Sequence, residues 1–146
     1  MKEWKVTTMP AVTQKNFTPR KEFIDIFGEL VKVLEQYEYC FDVRNKTDRN
    51  YELWTDHAYR TKSFRPRRMQ GVLFVGATIL KSYVGIYFYP LHISADLKDE
   101  IPVFFRSTLV GRSTFHITKM PETFLLDFQK MLDVGLNLYR SKKWIR

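Results

Sequence analysis

The chain is poor in several residue types and features, and each shortage removes a class of protein. Of its 146 residues one is cysteine, Cys40. A lone thiol excludes an intramolecular disulfide and any zinc or iron–sulfur site assembled from several cysteines. Glycine is sparse at six residues, and no glycine–serine linker, internal repeat or low-complexity tract divides the chain. One domain over 18–146 is therefore expected, preceded by an arm over 1–17 that lacks a sustained period and is interrupted by Pro10. No charge-free apolar run approaches the roughly 20 residues of a spanning helix, and the start Met1-Lys-Glu-Trp-Lys lacks signal-peptide form. A cytoplasmic protein is the expectation.

Carboxylates are unevenly placed. Between Asp56 and Asp96 there is none, while Arg60, Lys62, Arg65, Arg67, Arg68 and Lys81 all fall in that interval. The whole chain carries 24 Lys and Arg against 16 Asp and Glu, a net charge of +8. A surface of one sign favours anionic partners through its summed field. Hydrophobic residues make up 45% of the chain and aromatic ones 16%, enough to build a core without metal or disulfide support.

The period of the apolar residues predicts two long helices and a sheet. Phe23, Phe27, Leu30, Leu34 and Tyr37 recur at helical spacing, which predicts a helix over about 19–39, with Thr18 as N-cap and Pro19 at its first position. The polar stretch 44–50 reads as a loop and 51–55 as a short strand. Residues 72–80 and 83–89, joined at Lys81-Ser82, read as a hairpin. The first of these strands is apolar on both faces and so central. Gly76 and Gly85 mark places where a backbone or a ring approaches closely. Ser94 is placed to cap a short helix through Glu100, Pro102 opens a further segment, Gly111 turns the chain, and 113–117 reads as a strand. Pro121 opens the last helix, whose buried face is Phe124, Phe128, Met131, Gly135 and Leu138, with Trp144 and Ile145 tucked back onto the domain. The expected fold is α+β, a two-layer sandwich of a mostly antiparallel sheet with an N-terminal and a C-terminal helix.

The hairpin Gly71–Leu91, the strand Leu109–Lys119 and the closing segment Phe124–Ile145, with Gly135, Leu138, Tyr139 and Trp144, resemble the YdhG-like family of small bacterial domains of unknown function. The resemblance covers roughly residues 50–145. It implies an α+β sandwich related in layout to frataxin. One branch of that family is described as a frataxin-like intracellular iron chaperone. The basic balance of this chain departs from an acidic iron-carrying surface.

Candidate functional residues cluster around the basic segment. Arg65, Arg67 and Arg68, joined by Arg112 and Lys119, form a candidate anion site, because the planar guanidinium fork matches phosphate or carboxylate. Arg112 and Lys119 bracket one strand and are expected on the same rim, with Tyr87 or Trp54 as an apolar wall. An anionic small molecule is the expected ligand, with a protein partner or a homodimer formed through an edge strand as alternatives. Nucleic acid is not expected: Tyr83, Tyr87 and Tyr89 could stack bases, yet no recognition-module signature accompanies them, and a place beneath a helix is simpler. His57, His92 and His116 lack paired metal-ligand spacing, and Glu22, Asp25 and Glu29 are diluted by Lys21 and Lys32, so no metal is expected. Cys40, at the end of an apolar helix, reads as an inert thiol. No nucleotide-binding glycine motif or nucleophile elbow occurs. The reading is a non-catalytic binding or accessory protein without a cofactor.

Overall fold

The computed structural model of the chain describes residues 17–55 and 71–145. The basic residues Arg60, Lys62, Arg65, Arg67 and Arg68, together with His57 and the arm before Phe17, lie outside the described residues. Within them the chain runs α1 (Lys21–Glu35), β1 (Phe41–Arg44), β2 (Asn50–Thr55), β3 (Leu73–Ile79), β4 (Val84–Phe88), α2 (Tyr89–Ile93), a 3-10 turn (Ala95–Glu100), α3 (Val103–Ser107), β5 (Leu109–Val110), β6 (Thr114–Ile117) and α4 (Phe124–Ser141). The six strands form one antiparallel sheet in the order β1-β2-β3-β4-β6-β5. The two long helices pack against it, so the α+β expectation holds.

α1 is shorter than its apolar stripe suggests. It starts at Lys21, with Arg20 extended at φ −74° and ψ 144° and no side-chain cap. The Arg49 guanidinium donates to the Phe17 carbonyl at 2.9 Å and stacks on the Phe17 ring. That contact ties the approach to the β1–β2 loop in extended form, so Thr18 caps nothing and Pro19 precedes the helix. At the other end, Gln36 and Tyr37 donate three residues back, to Val33 and Leu34, and the tightened turns deliver the chain into β1. The Tyr37 hydroxyl then donates to Asp133 of α4 at 2.7 Å.

Side chains alternate along a strand, so the register sorts the sheet into two faces. Leu53, Val75, Ala77, Val84, Ile86, Phe88, Phe115 and Ile117 point toward the helices and are buried. A bulge assists them. Leu53 pairs with Val75 but Trp54 pairs with Leu73, which leaves Phe74 as the extra residue. Phe74 thereby joins the helix side as well, stacked on Phe41 at 4.4 Å and edge-on to Phe88 and Tyr139.

α4 closes the core. Gly135 allows the helix to approach the sheet, since a β-carbon there would sit 2.6 Å from Phe88 and 2.8 Å from Pro90. Tyr139 is fully buried and donates to the Leu73 carbonyl at 2.5 Å. Trp144 packs edge-on against Tyr139 at 4.9 Å, so the tail returns to the domain as its sequence implies.

Candidate functional site

The face of the sheet turned away from the helices carries the chemistry. Residues one position out of phase with the core meet there: Arg44 on β1, Glu52 and Trp54 on β2, Gly76 and Thr78 on β3, Gly85 and Tyr87 on β4, Thr114 and His116 on β6. The tyrosines thus correct the simpler expectation. Tyr83 and Tyr87 are not beneath a helix, because Val84, Ile86 and Phe88 hold the helix side of β4.

Arg44 and Glu52 stand directly opposite each other on β1 and β2. Cross-strand neighbours of opposite charge ordinarily attract, with β-carbons about 5 Å apart. Arg44 lies 3.8 Å from the carboxylate of Asp42 on its own strand, and Arg44 and Glu52 both engage Trp54. The Arg44 guanidinium lies over the indole, 4.7 Å from the ring centroid, and the indole N–H donates to Glu52 Oε1 at 2.9 Å. Asn45 adds a second donor to Oε1 at 2.7 Å, whereas Oε2 receives one long contact, from Asn50 at 3.4 Å. Asn50 also donates to the Asn45 carbonyl at 2.8 Å, which helps hold Asn45 in its left-handed conformation at φ 54°. Glu52 is only 7% exposed. A carboxylate so withdrawn from water depends on its donors, and neutral ones supply them.

Beside this trio the chain leaves the sheet at Thr55 and returns at Gly71. The departure point is rigid. Thr55 donates its amide to the Val72 carbonyl at 2.9 Å, and the Val72 amide donates to Thr55 Oγ1 at 2.7 Å. Gly71 has φ +125°, and a β-carbon on it would lie 2.3 Å from the Thr55 carbonyl and 3.2 Å from the Arg44 guanidinium. Only glycine fits this crossing. The 15 residues between these ends include Arg60, Lys62, Arg65, Arg67 and Arg68. A loop that carries recognition residues works best when a rigid scaffold fixes its ends.

The centre of the face explains two more glycines. Gly76 lies beside Glu52 and Tyr87, and a β-carbon on Gly85 would meet the Tyr87 hydroxyl at 3.4 Å. The Tyr87 ring therefore spans both glycines, the close approach their positions imply. Burial, helped by neighbouring Tyr83, pushes the Tyr87 hydroxyl up to about 12. Farther along, Tyr83 stacks on His116 with centroids 3.7 Å apart. Burial holds the His116 imidazole below its ordinary value.

The expected site residues divide into separate places. Trp54 and Tyr87 share the outer face around Glu52. Arg112 and Lys119 are both exposed and stand at opposite ends of β6, one in the Gly111 turn and one beyond Ile117, so they flank the strand without converging. Arg65, Arg67 and Arg68 fall on the β2–β3 connection outside the described residues. On α1 each of the three carboxylates singled out has its own cation: Glu22 with Arg20, Asp25 with Lys21, Glu29 with Lys32. Among the described residues no three His, Cys, Asp or Glu side chains converge. His92 stacks on Tyr89, and Cys40 is a half-buried free thiol against the core. The residues that periodicity and motif reading passed over are Arg44, Asn45, Asn50 and Glu52. The available signal was one carboxylate alternating with Tyr51, Leu53 and Trp54.

No family model, curated protein or solved structure matches the chain.

Proposed function

We propose that this protein is a non-catalytic binding module that takes an anionic small molecule at the edge of its outer sheet face, where the arginine-rich β2–β3 connection is anchored. The observation that carries this reading is the place of Arg44. Its guanidinium lies on the Trp54 indole, beside the Gly71 crossing through which the connection returns. The same guanidinium lies 3.5 Å from the Thr55 carbonyl and 3.8 Å from the Asp42 carboxylate, and a guanidinium fork matches a carboxylate or phosphate in two parallel hydrogen bonds. The connection adds five cations and one carboxylate, Asp56, within residues 56–70, a charge balance that favours anionic partners. Trp54 supplies an apolar wall.

The test is thermal unfolding of the purified protein in inorganic phosphate and in small organic phosphates and carboxylates. A ligand that binds the native state raises apparent stability by about 2.7 kcal/mol at a hundredfold excess over Kd. The expected shift shrinks as ionic strength rises from roughly 0.01 to 0.15 M, where the Debye length falls from about 30 to 8 Å. A shift indifferent to salt, or none with any anion, contradicts the reading.

A further inference from the structure

The helix layer, on the far side of the sheet from the proposed anion edge, turns its own distinctive surface outward. Among the described residues six large apolar side chains are exposed. Three of them, Ile24, Met120 and Leu126, border one groove between α1 and the start of α4. Gly28 lines the same groove from the middle of α1. A glycine there weakens a helix relative to alanine. Nothing inside the domain requires it, since a β-carbon would meet no atom within 4 Å. A mid-helix glycine with no reason inside the domain has one outside it: it lets another backbone come close.

The charges around Gly28 indicate what comes close. At about 100° per residue, Lys21, Ile24, Asp25, Val31, Lys32 and Glu35 all fall within about 60° of Gly28. Two cations and two anions balance on this stripe, although the whole chain carries +8. Laid antiparallel on a copy of itself about Gly28, the stripe is self-complementary. Lys21 comes opposite the partner's Glu35, Asp25 opposite the partner's Lys32, and Ile24 opposite the partner's Val31. A two-fold axis makes each contact twice. Within one chain Lys21 meets Asp25 at 3.1 Å and Lys32 meets Glu29 at 3.3 Å. Those pairs are exposed, and such contacts exchange at little cost.

We infer that this protein self-associates as a two-fold dimer through the outer face of α1, the two helices crossing antiparallel at Gly28. The crossing draws the exposed apolar border of the groove out of water. The anion edge lies on the other face of the sheet and stays open, so the dimer stands or falls independently of the proposed function.

Sedimentation velocity of the full chain over a concentration series tests this, and a reversible monomer–dimer equilibrium is expected. Asp25→Lys or Lys32→Glu alone sets like charges against each other twice and should weaken the dimer at least about tenfold. Both substitutions together restore opposite signs across the two-fold and should recover most of the lost affinity. Within each chain the same double exchange leaves like charges beside Lys21 and Glu29, so recovery reports the contact between copies. Gly28→Ala gives a reading free of charge effects: association should weaken several-fold while the dilute monomer gains stability. A monomer at every concentration overturns the inference and leaves the face to the segment before Phe17 or to an unlike protein. A dimer indifferent to the single exchanges, or not recovered by the double one, overturns α1 as its contact.

Discussion

Gly135 of α4 and Phe88 of β4 are close enough that a β-carbon on the glycine would lie 2.6 Å from the ring. Pro90 and Phe74 bound the same spot at 2.8 and 3.0 Å, so none of the three neighbours can yield alone. Gly135→Ala should therefore destabilise the protein by about 1–3 kcal/mol through overpacking, despite the better helix propensity of alanine. Denaturant unfolding reads this directly, and a neutral result would contradict the close approach.

Gly28, in the middle of α1, has the opposite surroundings. A β-carbon there would meet nothing within 4 Å, because the residue borders a groove of about 490 Å³ with Ile24, Met120 and Leu126. Gly28→Ala should stabilise the domain by about 0.5–1 kcal/mol, the ordinary helix preference without a steric cost. Loss of stability would mean that something else fills the groove.

Trp54 links the charges on the outer face. Trp54→Phe keeps a ring for Arg44 to cover but removes the N–H that Glu52 accepts. A buried carboxylate short of one donor should lower stability by about 1–3 kcal/mol, measured by chemical denaturation. An unchanged midpoint would show that the indole N–H is dispensable to Glu52.

Alkaline pH should undo the fold through its tyrosines. Burial, reinforced by hydrogen bonds to Asp133 and Glu38, raises Tyr37 and Tyr51. Burial with Tyr83 nearby takes Tyr87 to about 12, and burial raises Tyr139 well above the ordinary phenol value. In the unfolded chain these groups ionise near the ordinary phenol value of 10. A raised native pKa means stability is complete below pH 10 and is lost as pH climbs from there through 12. Absorbance titration at alkaline pH should show native tyrosines lagging behind those in denaturant, with the melting temperature falling over the same interval. Simultaneous ionisation of all eight tyrosines near pH 10 in folded protein would refute this.

Long periodic segments were legible in the residues, whereas short ones depended on their neighbours. Phe23 to Tyr37 and Phe124 to Tyr139 repeat at helical spacing for several turns, and 72–80 with 83–89 is apolar enough to be a hairpin whatever surrounds it. β1 was hidden because Phe41-Asp-Val-Arg is four residues long and directly follows helical turns. β5 has two residues and exists through its pairing with β6. The start of α1 was misplaced because Thr18-Pro19 is a good helix opening locally, while Arg49, some thirty residues on, holds Phe17 in another conformation. At the site, Trp54 and Tyr87 stood out as aromatic residues. Glu52 did not, since its meaning arises from the register that sets it opposite Arg44 and from the bulge at Phe74. Arg112 and Lys119 looked paired only because six strand-forming positions separate them.

The arginines of the β2–β3 connection are the central claim. Arg67 and Arg68 should both be replaced by Ala, and phosphate binding compared with the unaltered protein by thermal unfolding at low salt. The account predicts a phosphate-dependent rise in melting temperature in the original chain, sensitive to ionic strength and largely absent from the double variant. An equal rise in both proteins, or a rise with ferrous ion and with no anion, would contradict it.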